Sequence, residues 1–304
     1  MADKQTKASP EDVDSPPTQE EVMRWVREKG NPFELAIGRE FRGNGWETRH
    51  GYYYEDPIEK KPRELDILAW KMARRTVSPD TVDTPAIGFT LAVQCKRSET
   101  NPWIVFSSDS TESHSLSVVN ELPGTMGPQL IRWLGQEGKG DRLQKFGSVH
   151  YGRRYGHGIT QYRRSKNVVD PAYNALVSAA NAASAVAATQ ESVGGQVGST
   201  LDAIVRIVLP VVVFGGTLYE LYLADAGHEV LHEVAWLKVM TPDPLRPGSV
   251  VRVTVITPAA LPTFLQQVDS DLNTLEMELF PSLKRLIDRD REKITREIAW
   301  RYRF

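Results

Sequence analysis

The chain has 304 residues, of which 40% are hydrophobic and 25% charged, so it can bury a sizeable core and is no low-complexity or fibrous sequence. Its formal net charge of −2 excludes a globally basic nucleic-acid binder but leaves room for a local basic surface. A single cysteine, Cys95, rules out an intrachain disulfide and a cysteine zinc cluster, in keeping with a reducing cytoplasm.

Residues 1–17 are polar and rich in Pro, Ser, Asp and Lys, with little to bury, and read as a disordered tail. They lack the apolar stretch of a signal peptide. No run reaches the ~20 apolar residues needed to span a bilayer, so no membrane association is expected. Thr18 and Glu21 have the spacing of a capping box, and Val22, Trp25 and Val26 share one helical face behind it. A second helix is expected over 33–43, with Phe33, Ile37 and Phe41 at helical spacing. Asn44-Gly45 then turns the chain into a strand, WETRHGYYYE, and EDPIEKKP forms a charged hairpin loop.

RELDILAWKM alternates as a second strand, placing Leu65, Ile67 and Ala69 on one face and Glu64 and Asp66 on the other. IGFTLAVQCKRS is a third, with Val93 and Cys95 on one face and Gln94 and Lys96 on the other. Residues 98–168 read as loop-rich, with a short helix around PQLIRWLGQE. The Ala-rich run from Pro171 to about Gln190 predicts a helix whose small residues permit close packing, followed by a flexible SVGGQVGST connection. IVRIVLPVVVF, GTLYELYLAD, EVLHEVAWLKVM and SVVRVTVIT are strand candidates, the first bent at Pro210. ALPTFLQQVDSDLNTLEMEL is expected to be helical. The 281–304 tail interleaves acids with bases as a solvated helix would, and its end from Trp300 to Phe304 could dock on another chain.

If the second and third strands pair, Asp66, Gln94 and Lys96 converge on one patch. Glu34 on the preceding helix can add a carboxylate, and so can Glu64. That set suits phosphodiester hydrolysis. Mg²⁺ takes oxygen ligands, often one or two carboxylates, and keeps waters and substrate phosphate in its other positions. The ion acidifies a bound water and neutralises phosphate charge, while a neighbouring lysine stabilises the transition state. The plainer reading is an exposed Asp–Lys ion pair between strands. Cys95, aimed at the core, reads as a small hydrophobe rather than a nucleophile.

The succession FELAIGREFRGNGWETRHG, RELDILA and LAVQCKRS resembles the PD-(D/E)XK nuclease superfamily, in particular its Mrr-type branch, in which glutamine replaces the acidic residue before x-Lys. The resemblance covers residues 33–98 and extends to the helix at 171–190 and the strand LPVVVF. It implies a restriction-endonuclease-like α/β fold: a mixed central sheet flanked by helices, built from helix, three strands, helix and strand, with an extended C-terminal α/β part. One domain over 18–280 is then expected, with its catalytic core at 33–98, a basic loop region at 99–168 and the Ala-rich helix and further strands at 169–280. The resemblance also implies Asp66 as metal ligand, Gln94 as ligand or water-positioning residue and Lys96 as catalytic lysine. Glu34 matches the helix glutamate, and Glu64 an acid seen in some members two residues before the aspartate. The implied activity is Mg²⁺- or Mn²⁺-dependent endonuclease action on DNA, in restriction or anti-phage defence. The alternative is a nuclease-fold module with weakened chemistry that binds nucleic acid or a defence-system partner protein. A structural protein assembling through the Ala-rich helix and the tail is a third reading, and a homo-oligomer stays open.

Residues 142–166 hold Arg142, Lys145, Arg153, Arg154, Arg163, Arg164 and Lys166 without an acid, interleaved with Phe146, Tyr151, Tyr155 and Tyr162. Cations neutralise phosphates and aromatic faces stack on bases, so Arg153, Arg154, Tyr155, Arg163, Arg164 and Lys166 are nucleic-acid-binding candidates. A solvated basic loop facing an acidic partner is the competing account. His150 and His157 match no metal-site spacing, and Trp103 reads as a core anchor.

Overall fold

The computed structural model describes residues 16–28, 31–73, 86–109, 154–163, 170–196, 204–225, 227–245, Gly248 and 250–277. In chain order these form α1 (Gln19–Glu28), α2 (Asn31–Gly43), β1 (Glu47–Glu55), β2 (Pro62–Ala73), β3 (Ala86–Arg97), β4 (Trp103–Asp109), β5 (Arg154–Gln161), α3 (Pro171–Gln196), β6 (Ile204–Gly215), β7 (Leu218–Leu223), β8 (Glu229–Glu233), β9 (Trp236–Pro242) and β10 (Val250–Ile256). A 3-10 turn, Pro258–Ala260, leads into α4 at 261–277. The expected helix around PQLIRWLGQE and the 281–304 tail lie outside the described residues, as does all of the N-terminal tail before residue 16.

The strands form one ten-stranded mixed sheet in the order β1-β2-β3-β6-β10-β9-β5-β4-β7-β8. β1, β2 and β3 run antiparallel in succession, and β6 joins β3 in parallel along its whole length, from Ala86↔Ile204 to Arg97↔Gly215. A parallel neighbour needs a crossover, and α3 lies on that path between β3 and β6. Pro210 is opposite Ala92, and β6 meets β10 only from Thr254↔Val211 onward, so the missing N–H falls outside that ladder. The far half of the sheet attaches to β9 through a single pair, Gly156↔Val239. A Cβ on Gly156 would stand 2.4 Å from Val105 Cγ1 and 3.1 Å from Val239 Cγ2, so only glycine lets the strands approach there.

Helices cover both faces. On one, Ile37 and Phe41 of α2 and Phe264, Leu265, Val268, Leu272 and Leu275 of α4 pack on Phe89, Leu91, Val93, Leu209, Val211 and Val213. On the other lies α3, whose buried Ala172, Ala175, Ala179, Ala182 and Ala183 bring its axis close to the sheet. Asp170 caps α3 by accepting the Ala172 N–H at 2.9 Å, and its other oxygen accepts the Thr160 hydroxyl at 2.7 Å, tying the helix start to β5. The Thr18–Glu21 capping box forms at the head of α1.

Four expectations need correction. The 98–168 region contains β4 and β5, and EVLHEVAWLKVM divides into β8 and β9 around Val234 and Ala235. α3 runs through Gln196, taking in residues expected to be a flexible connection. The alternation of β2 also breaks at Asp66. Ile67 and Ala69 pack on the α2 side with Val93 and Cys95, whereas Leu65 packs on the α3 side with Leu68. Opposite this break, between the pairs His50↔Ile67 and Tyr52↔Leu65, stands Gly51 with φ +59°. A left-handed residue rotates the pleat, and glycine takes that conformation without steric cost.

Candidate metal-binding site

The face switch at Gly51 and Asp66 coincides with the end of the β2–β3 ladder. The register runs from Ala73↔Ile87 to Ile67↔Val93 and stops there. Beyond it, side chains bridge the strands where backbone pairs would otherwise continue. The Asp66 carboxylate accepts the backbone N–H of Cys95 through Oδ2 at 2.6 Å. The Gln94 side-chain amide donates to the Glu64 carbonyl at 3.4 Å. The strands therefore separate at the residues on which the sequence motif falls.

Burial grades across the cleft: Gln94 is 4% exposed, Glu34, Asp66 and Lys96 are half-buried, and Glu64 is exposed. Glu34 arrives from the first turn of α2. The ring of Phe33 lies against Gly215 at the end of β6, where a Cβ would come within 2.9 Å of it, and this seats the helix start at the same end of the sheet as Lys96.

Electrostatics tie these groups together. Burial, then the neighbouring Asp66 charge, raises the Glu34 carboxyl above its ordinary range; Lys96 opposes this and Glu64 adds to it. Burial also raises Asp66, against the Cys95 N–H bond and Lys96, with Glu64 pushing the same way. The Cys95 thiol is pushed well above its usual value by burial, then by Asp66 and Glu34. It is thus a protonated, buried group rather than a nucleophile. Carboxylates raised by burial and by neighbouring acids are what a divalent cation would relieve.

Among the described residues no group of three or more His, Cys, Asp or Glu side chains is gathered as a ready-made metal cage. The donor set still fits Mg²⁺ or Mn²⁺, which bind through few carboxylates and keep several waters. Asp66 Oδ1 takes no hydrogen bond among the described residues, and the Asp66 charge reaches Glu34. Glu34, Asp66 and Lys96 are within electrostatic reach of one another, as is Glu64, and Gln94 is linked to them through the Glu64 carbonyl. Tyr53 belongs to this neighbourhood too, since its hydroxyl donates to Glu64 Oε2 at 3.4 Å. Only its place opposite Glu64 in the hairpin register could have signalled this.

The basic segment is only partly described, with Arg142, Lys145, Arg153, Arg164 and Lys166 outside the described residues. Arg154 forms a two-point ion pair with Glu220, at 3.0 and 3.3 Å, and lies 3.6 Å from the Tyr222 ring centroid. Tyr155 is 9% exposed beneath the Arg252 guanidinium. Arg163 donates twice to the Gln161 side-chain oxygen. These three therefore take part in β5 packing and pairing. His157 is exposed and bonds the Phe106 carbonyl through Nδ1. Trp103 is buried and stacked on Phe214 at 4.0 Å. Among the described residues no helix is long and apolar enough to cross a membrane. Comparison with family models, with curated proteins and with solved structures returns no match to this chain.

Proposed function

We propose that the chain is a divalent-metal-dependent nuclease of the PD-(D/E)XK type, hydrolysing phosphodiester bonds in DNA. The observation that carries the reading is the parting of β2 and β3 at the motif, with Asp66 and Gln94 bridging the gap and Glu34 and Lys96 within electrostatic reach. The succession α2, β1, β2, β3, α3, β6, with β4 and β5 inserted before α3, supports it as well, since helix, three strands, helix and strand is the order that the resemblance implies.

In this reading Asp66 and Glu34 hold the cation. When bound, the ion supplies an acidified water and neutralises phosphate charge. Lys96 presents its ammonium to the attacked phosphate and stabilises the negative charge that builds there. Gln94, anchored through its nitrogen to the Glu64 carbonyl, turns its oxygen to orient a water. A restriction or defence role rests on family likeness alone.

One observation favours a second reading, a weakened module that binds nucleic acid for a partner. Gln94 is neutral and buried, and no three-acid cage is gathered among the described residues. Supercoiled plasmid incubated with the full chain under Mg²⁺, Mn²⁺ or EDTA separates the two. The nuclease reading expects metal-dependent nicking that falls ~100- to 1,000-fold in Lys96→Ala, the scale of losing one transition-state donor. Metal-independent nicking, or wild-type rates in a folded Lys96→Ala protein, refutes it. Binding without nicking under every metal favours the module.

A further inference from the structure

Glu64 is held differently from the other acids of the cleft. It pairs directly with Tyr53 across the β1–β2 hairpin. Its Oε2 accepts the Tyr53 hydroxyl at 3.4 Å, and its Oε1 lies over Gly51, 3.1 Å from where a Cβ would stand. Its carbonyl accepts the Gln94 amide at 3.4 Å. The carboxylate therefore sits in a shallow seat formed by the left-handed Gly51 and the Tyr53 hydroxyl, and its charge still reaches Glu34 and Asp66.

Tyr53 has little packing reason to be a tyrosine. It is 68% exposed, whereas Tyr52 and Tyr54 on either side turn to the α3 face and pack there. Period-two alternation sends Tyr53 to the opposite face, where α2 carries Glu34. An exposed glutamate samples many rotamers, and fixing one costs entropy when a ligand binds. A phenol hydrogen bond to the charged oxygen restricts that freedom beforehand and leaves the carboxylate at the mouth of the cleft.

We infer that Tyr53 is a positioning residue, which holds Glu64 so that its carboxylate reaches the divalent cation of the proposed site through a bound water rather than by direct ligation. The inference rests on the nuclease reading. It predicts that Tyr53 acts on metal affinity only through Glu64. Mn²⁺ is titrated calorimetrically into the full chain without nucleic acid, for the wild type, Tyr53→Phe, Glu64→Gln, the double variant and Asp66→Asn. Tyr53→Phe removes one hydroxyl and keeps the ring. It is expected to weaken Mn²⁺ binding by ~3- to 10-fold, the range of one hydrogen bond. Glu64→Gln is expected to weaken it at least as much, and Tyr53→Phe to add nothing in the Glu64→Gln background. Wild-type affinity in Tyr53→Phe, or an equal loss with and without Glu64, overturns the inference while leaving the nuclease reading intact. Absent Mn²⁺ binding in the wild type, or full affinity in Asp66→Asn, removes the nuclease reading and this inference with it.

Discussion

Replacing Gln94 with glutamate adds a carboxylate at the proposed site and tests it without relying on turnover. Gln94 is 4% exposed, and its amide nitrogen serves the Glu64 carbonyl at 3.4 Å. Gln94→Glu removes that donor. The bond is long, so its loss costs about 1 kcal/mol, the low end for a partner left unsatisfied. The new carboxyl is also buried, at a strand end where burial and neighbouring carboxylates already hold Glu34 and Asp66 above the ordinary range. Keeping it protonated at neutral pH, or ionising it there, costs about 1–3 kcal/mol more. In EDTA the variant should therefore be ~2–4 kcal/mol less stable than the wild type. With Mn²⁺ the deficit should narrow, because the variant is expected to bind the ion more tightly. A cation that binds only the folded state stabilises it by about 2.7 kcal/mol at a hundredfold excess over Kd, and each tenfold gain in affinity adds ~1.4 kcal/mol. Urea unfolding of both proteins, in EDTA and at matched Mn²⁺, reads both terms. Cleavage by the variant should be retained or raised. Equal midpoints in EDTA, or a Mn²⁺ shift no larger in the variant, would refute the placing of Gln94 at a cation site.

Two further predictions concern the fold. Trp103→Ala should cost ~3–5 kcal/mol in urea unfolding, because Trp103 is 1% exposed and stacked on Phe214; a loss under 1 kcal/mol would contradict its role as an anchor. Lys238, 3% exposed, is held down to about 7 by burial and by Arg252, against Asp271, from an ordinary 10.5. Between those values the unfolded chain binds more protons than the folded one, so stability should rise with pH, by up to ~1.4 kcal/mol per unit from this group. Lys238→Met should lack that rise, and identical pH profiles for the two proteins would remove Lys238 as its source.

Much of the cleft was legible because its parts are local. Glu34 follows Phe33 on a helix with clear apolar spacing, and Gln94 and Lys96 are two apart on a strand that alternates cleanly between Val93 and Cys95. The face switch in β2 was not legible. Leu65 and Ile67 satisfy simple alternation, and the residue that breaks it, Gly51, lies on the partner strand. β5 was missed because RYGHGITQ carries two glycines and a charge where a strand usually carries β-branched residues. Its burial depends on contacts far along the chain, such as Arg154 with Glu220 and Tyr155 beneath Arg252. A run of cations without acids therefore looked like a free surface, although the acid that meets Arg154 lies on β7.

The lone Gly156↔Val239 pair has a mechanical consequence. A sheet whose two panels share one backbone pair transmits little shear along its ladder. The load passes instead through α3, whose first turns share one buried cluster with Trp103, Val105, Ile159 and Leu218 on one panel and Val212, Phe214 and Val251 on the other. The helix serves as a batten across the joint, and its alanines set how tightly it clamps. Enlarging Ala175 or Ala179 would thus disturb the alignment of two panels whose own strands it leaves untouched.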